Sequence, residues 1–347
     1  MFSKDTDENV YYNIRLVGKE GKDTIARFNE TRVEPILDNP SKYELAVVRF
    51  SVPSRKIPIM FFRDGDPANG YTPQQKYTIT MSFDGVDKTV QLTHVNNEFP
   101  TFLYKKPTIW SYGQFMESMN RAFTEVFSEI KAEKPLAPPT MPPFMIFSNL
   151  TSRFALYAPT SYDSNGPPTI NIYFNSELER LFDAFQMVYD SNQPSTKRWH
   201  YIIKDTNTNG TVHNGNPYYI MKQDTSTLYL WNEIQSLQFE TNSIPVNPEM
   251  LSSQTNIISR VITDFEPISG APSRDVIQFF PAGPLRYYDL KSESPMKQMD
   301  LSITWRDRKG NTYPIYVNEE DPLTIKLKFR KKKKIYQLDI ENEDYDY

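Results

Sequence analysis

The chain has 347 residues, a formal net charge of −4, 38% hydrophobic and 24% charged residues, and no cysteine; 22 Tyr, 22 Phe and 27 Pro stand against 12 Gly. This balance supports a packed core and argues against disorder, and it excludes disulfides, thiolate nucleophiles and Cys-based metal sites, which suits assembly in a reducing compartment. The acidic balance gives no global pull towards nucleic acid, and the wealth of aromatics and proline favours the short, half-buried strands of a sandwich or barrel.

The polar start MFSKDTDENVYYN lacks an apolar core, so no signal peptide is expected. No apolar run is long enough to span a membrane. The sequons at Asn29, Asn149 and Asn209 are read as chance matches. YYNIRLV (11–17) and YELAVVRFSV (43–52) read as strands and lead into the proline-broken PSRKIPIMFF (53–62). KYTITMSF (76–83) and VDKTVQLTHV (86–95) flank Asp84-Gly85, a hairpin signal because both turn positions must adopt positive φ.

Two helices follow from capping boxes. Ser111-x-x-Gln114 precedes a 3.6-period stripe of Phe115, Met119, Phe123, Val126, Phe127 and Ile130 that stops near Lys134-Pro135; Ser176-x-x-Glu179 precedes Leu178, Leu181, Phe182 and Phe185. Both stripes are read as core against a sheet. Between and after them, FMIF (144–147), FALY (154–157), TINIYF (169–174), YIIK (201–204), YYIMK (218–222), TLYLW (227–231) and SLQF (236–239) read as strands. NIISRVITDF (256–265), DVIQFF (275–280), LRYYDL (285–290), MDLSITWRD (299–307), TYPIYV (312–317) and LTIKLKF (323–329) complete the set. In the last, Leu323, Ile325, Leu327 and Phe329 alternate with Thr324, Lys326 and Lys328, so one face is buried and one wet. Composition breaks at 66–75 and 190–217 suggest outer strands from both chain ends with a mixed α+β section between them.

The usual marks of catalysis are missing. His94, His200 and His213 stand far apart without metal spacing, and no nucleophile elbow, P-loop or dinucleotide fingerprint occurs. Asp64/Asp66 and Glu319-Glu320-Asp321 read as solvated turn acids, and Arg63-Asp64-Gly65-Asp66 does not fit an EF-hand. Neither a cofactor nor a metal is expected. The most distinctive charge feature is FRKKKK (329–334) followed by the acidic IYQLDIENEDYDY (335–347). Arg330, Lys331, Lys332, Lys333 and Lys334 have two readings: lysines blunting a sheet edge, or contact with the phosphates of a packaged genome or with the inner capsid. The tail is too polar to fold alone; it is disordered, or an arm ordered by a neighbouring subunit.

Two stretches carry a family likeness: FNETRVEPILDNPSKYELAVVRFSVP (28–53) with IPIM (57–60), and PLRYYDLKSESPMKQMDLSITWRDRKGNTYPI (284–315) followed by LTIKLKF. They resemble the minor capsid, or penton, proteins of virophages and polinton-like double-stranded DNA viruses. The resemblance implies a mainly β chain with a discontinuous single jelly-roll base, 1–65 and 224–335. It also implies an inserted, outward-projecting β-rich α+β domain with two short helices, 66–223, and an acidic arm, 336–347. It further implies a structural, non-enzymatic protein of the virion, assembled in the host cytoplasm or virus factory. There it would form homopentamers at the icosahedral fivefold vertices against a double-jelly-roll major capsid protein. Two other classes stay open: a carbohydrate- or receptor-binding protein using an exposed Trp199, Tyr218 and Tyr219 for host attachment, and a glycoside hydrolase on a β-sandwich.

Overall fold

The computed structural model describes residues 9–18, 22–54, 57–95, 104, 106–135, 141–163, 169–204, 211–213, 216–232, 234–246, 250–254, 257–265, 276–279 and 283–332. The chain opens with β1 (Asn9–Leu16), β2 (Thr24–Ile25), β3 (Arg27–Thr31), β4 (Tyr43–Pro53) and β5 (Met60–Phe61). Its middle contains β6 (Thr78–Phe83), β7 (Val86–Gln91), β8 (Thr108–Ile109), helix α1 (Tyr112–Glu133), β9 (Phe144–Ser148) and β10 (Arg153–Pro159). There follow β11 (Asn171–Phe174), the single turn α2 (Ser176–Glu179), β12 (Met187–Tyr189), β13 (Trp199–Tyr201), β14 (Thr211–His213), β15 (Asn216–Lys222) and the single turn α3 (Leu228–Trp231). The closing part holds β16 (Ile234–Thr241), β17 (Met250–Gln254), β18 (Ile257–Phe265), β19 (Val276–Phe279) and β20 (Tyr288–Asp289), then β21 (Gln298–Asp307), β22 (Thr312–Pro314), β23 (Tyr316–Val317) and β24 (Leu323–Lys331).

Strands from the two chain ends interleave. One sheet runs β1-β24-β4-β19 with β20 also on β4; the other runs β17-β18-β16-β21-β22 with β3 also on β21. The alternation of β24 drives the packing: Leu323, Ile325, Leu327 and Phe329 point inward and meet Leu237, Phe239, Leu301, Ile303 and Trp305 of the facing sheet. Phe50 of β4 and Phe239 of β16 meet across the gap at 5.0 Å between ring centroids. Each such buried side chain contributes about 1.5–3 kcal/mol by leaving water. This pair of antiparallel sheets is the jelly-roll base of a mainly β fold.

A second core collects the middle of the chain. The sheets β12-β13-β11-β6-β7 and β14-β15-β10-β9 pack with α1. Along α1, Phe115, Met119, Phe123, Val126 and Ile130 are fully buried, as the stripe predicts. The helix is 22 residues long rather than short, because the stripe finds a partner surface along its whole length. Ser111 accepts from the Gln114 amide, but Gln114 Oε1 accepts from the Trp110 amide at 2.9 Å, so the box closes one residue early. The hairpin at Asp84-Gly85 forms as expected, with φ of 46° and 76°.

Two expectations need correction. The cap of α2 is Asn175, not Ser176. Its Oδ1 accepts from the Leu178 and Thr78 amides, both at 3.2 Å, and its Nδ2 donates to the Lys76 carbonyl, so one side chain caps the turn and ties it to β6. The TLYLW stretch is the helical turn α3, not a strand. Leu228 and Trp231, three apart, both bury in the second core, and Thr227 Oγ1 donates to the Leu181 carbonyl at 2.8 Å; tertiary packing overrides the local preference for strand.

The division between the cores does not fall at 65/66 and 223/224. Met60 and Phe62 pack in the second core while Phe61 between them packs in the base, and Tyr71 and Tyr104 join the base as well. Trp231 belongs to the second core.

Glu179 lies 8% exposed on α2. Burial, aided by Asp183 and opposed by Arg180, pushes its carboxyl up to about 7. A raised folded-state value means stability that is full below the unfolded value of 4.5 and lost as pH rises to about 7. Glu179→Gln should remove that loss. Denaturation midpoints of both proteins, compared below pH 4.5 and above pH 7, test it; parallel pH profiles would refute it.

Candidate functional site

Within β24 the basic residues do not stand on a sheet edge. β24 lies between β1 and β4, inside its sheet. Sequence alternation shows which face of a strand is wet but not which strands flank it, and here the flanks come from the distant N-terminal part.

What β24 builds is a basic face on the outside of the base. Lys326, Lys328 and Arg330 project at every second position, about 7 Å apart, opposite Asn13, Tyr11 and Asn9 of β1. On the other side, Lys326 pairs in register with Arg49 and Arg330 with Glu44. Arg15 is exposed beside Thr324. Lys326 and Lys328 place their ammonium groups 4.6 and 5.7 Å from the Tyr11 ring, and the Arg330 guanidinium sits 3.5 Å from that of Tyr287.

Counter-charge is partial. Arg330 Nη2 lies 2.8 Å from Glu44 Oε2, and Lys332 Nζ lies 3.0 Å from Asp289 Oδ1. The hydrogen bond from Lys332 leads the effects that hold the Asp289 carboxyl below its usual range. Lys331 is exposed at the strand's end, and Lys333 and Lys334 lie outside the described residues. Among the described residues, Arg15, Arg49, Lys326 and Lys328 have no carboxylate within ion-pair distance. Arg15 and Arg49 were not singled out by sequence, because their approach to β24 is a matter of strand pairing.

The aromatic trio expected as an attachment surface is not assembled. Tyr218 is 1% exposed, not a surface residue; its ring lies 5.5 Å from Phe144 and its hydroxyl 3.6 Å from Met141 Sδ. In a strand covered on both faces, parity no longer distinguishes wet from dry. Tyr219 donates to Asp163 Oδ2 at 3.5 Å. Trp199 is half-buried on a different sheet, its ring 4.8 Å from Tyr189, itself 49% exposed.

His94 Nε2 is 2.9 Å from the Thr108 carbonyl. The His200 ring stacks 4.8 Å from Tyr173, and burial followed by Lys197 lowers its pKa. The side chain of His213 lies outside the described residues. Asp64 accepts from the Asp66 amide and Asn69 Nδ2, and Asp66 accepts from the Ala68 amide, the turn geometry expected of them. Among the described residues, no group of three or more His, Cys, Asp or Glu is placed to hold a metal ion, and no helix is long and apolar enough to cross a membrane. An open groove of about 670 Å³ follows the outer side of α1 past Met116, Glu117, Asn120, Arg121 and Thr124, with Arg121 and Glu117 paired at 2.8 Å.

Comparison with known proteins agrees with this architecture. The family model described as Sputnik minor capsid protein V18/19 matches residues 10–331. Structural protein V19 of Sputnik virophage is 29% identical over 202 residues, which cover 54% of this chain and 93% of that protein. Uncharacterized protein V18 of the same virophage is 28% identical over 149 residues, 37% of this chain and 89% of its own length. A chain in the cryo-EM structure of the Sputnik virophage superposes with a TM-score of 0.74 at 26% identity, covering 94% of this chain and 98% of its own. The mavirus penton protein shares the fold, with a TM-score of 0.66 at 15% identity over 94% of this chain and all of that one. With the family match running from the first strand of the base to its last, the chain belongs to the Sputnik minor capsid protein V18/19 family, a family of minor capsid proteins.

Proposed function

We propose that this minor capsid protein is the penton subunit: a non-enzymatic building block that closes into a homopentamer at the fivefold vertices and seats against a double-jelly-roll major capsid protein. Its base is formed by the strands of both chain ends, and the second core is an inserted unit that projects outward. The observation that carries this reading is the fold shared with the mavirus penton protein over 94% of the chain. The edge of β1, unpaired among the described residues, and the only partly compensated basic face beside it support it further. Both are costly on an isolated subunit, and rotational assembly covers such surfaces without leaving a free end.

Native mass spectrometry of the full chain tests it. Five-copy rings are expected, alone or on addition of the major capsid protein. A protein that stays monomeric in both conditions at all concentrations sinks the proposal. The trio Trp199, Tyr218 and Tyr219 is not carried forward as an attachment surface, since Tyr218 is buried and the other two stand on different sheets.

A further inference from the structure

We propose that the acidic segment 336–343 of one copy docks as an added antiparallel strand on the open edge of β1 in a neighbouring copy, laying Asp339, Glu341 and Glu343 against the basic outer face. The inference rests on the ring assembly proposed above and names what holds adjacent subunits together.

The acceptor is a strand edge of unusual regularity. Among the described residues β1 pairs on one side only, with β24, in an unbroken eight-residue register from Asn9↔Arg330 to Leu16↔Leu323. Free edges are ordinarily defended by proline, a bulge, lysine or short length. NVYYNIRL has no proline, glycine or lysine and no bulge. Its outer face carries Tyr11, 48% exposed, then Asn13 and Arg15, and continues into Lys326, Lys328 and Arg49, where positive charge lacks a carboxylate. Its inner face carries Tyr12, Ile14 and Leu16, packed in the base.

The occupant is written in the same two-residue period. In YQLDIENE (336–343), Tyr336, Leu338 and Ile340 alternate with Asp339, Glu341 and Glu343. Setting Ile340 opposite Ile14 in an antiparallel pair puts Leu338 opposite Leu16, so the apolar positions extend the base core. The same register sets Asp339 opposite Arg15, Glu341 opposite Asn13 and Glu343 opposite Tyr11, one strand away from Lys326 and Lys328. Backbone hydrogen bonds supply affinity and alternate side chains supply register, as in other cases of strand addition.

Reach decides which copy donates. β24 ends beside Asn9, and Leu16 lies about 24 Å further along β1. The six steps from Lys332 to Leu338 span at most about 22 Å, and they must also cross about 10 Å of sheet width. The chain's own tail therefore cannot take this register, which leaves the tail of another copy to supply it. A phosphate backbone would answer the same cations but would leave both the open backbone row of β1 and the apolar half of the segment unexplained.

The absence of native cysteine gives a clean test. The full-length double variant Asn13→Cys/Glu341→Cys is oxidised in its assembled state and run without reductant. The expected result is a ladder of disulfide-linked copies ending in a closed ring, with at most dimers from either single variant. Rings that yield no intermolecular link overturn the docking while leaving the pentamer standing. An internally linked monomer overturns the exchange between copies, and a protein monomeric by native mass spectrometry overturns both. If duplex DNA abolishes the ladder and its binding becomes less salt-dependent in Lys326→Gln/Lys328→Gln, the genome and not the segment occupies the face, and the proposal falls.

Discussion

Replacing Trp231 with alanine is expected to remove about 3–5 kcal/mol of folding free energy. The indole is 1% exposed at the centre of the second core. It stacks on Phe154 at 4.8 Å and meets Phe115 at 4.8 Å, and Tyr112 and Phe182 both at 5.4 Å, in edge-on contacts. These rings come from α1, β10 and the segment after α2, so truncation leaves a cavity that no single side chain can refill. Its Nε1 donates to the Leu181 carbonyl at 3.0 Å, but that carbonyl also accepts from Thr227 Oγ1, so no acceptor is orphaned. The loss is therefore one of packing, and Trp231→Phe should recover more than half of it. Equilibrium denaturation of the three proteins measures this. An alanine variant within about 1 kcal/mol of the parent would mean that the pocket collapses freely.

Asp300 should give the second largest effect, about 2–4 kcal/mol on replacement with alanine. Its carboxylate accepts from Thr241 Oγ1 at 2.8 Å, from the Asn242 amide at 3.0 Å, and from both the amide and the hydroxyl of Ser243. Burial opposes ionisation, but the Ser243, Thr241 and Asn242 hydrogen bonds outweigh it and hold the pKa below the usual carboxylate range. The turn it fixes leads to Val246, which bridges to Leu290 next to β20, so Asp300 joins the two sheets of the base at one corner. A depressed folded-state pKa gives stability that is present above the unfolded value and lost as pH falls through the folded one. The stability gap between the parent and Asp300→Asn should accordingly be open at neutral pH and close in acid. A gap of constant size would show that the charge is not its source.

Features controlled by short-range physics were legible in the sequence. The Asp84-Gly85 turn needs two positive φ values, and few residue pairs supply them. The α1 stripe and the β24 alternation expose their period within a few residues. Legibility ended where a strand is defined by its neighbours. β3, RFNET, alternates between exposed and half-buried and holds its place through its register with β21, from Gln298↔Thr31 to Ser302↔Arg27. The same limit hid most of the candidate face. The lysines of β24 were visible as a run, but Arg15, Arg49 and the Glu44 counter-ion reach them from near the other end of the chain. Exposure failed in the same way at Tyr218, since a tyrosine covered by Phe144 and Met141 looks in sequence like one facing water.

β5 carries a mechanical consequence. Its Phe61 is pressed into the base against Trp305, 5.8 Å away, and Tyr313, 5.2 Å away, while Phe62 next to it sits in the other core, 5.5 Å from Tyr77 and 6.1 Å from Phe115. Adjacent residues of an extended chain point to opposite sides, so the two bodies share one wall, with no hinge at this point. A turn of the second core against the base at this wall would have to move Phe61 across the Trp305 ring. Two neighbouring side chains at the end of one short strand thus couple the packing of the two cores, and a change in either core at this point is felt in the other.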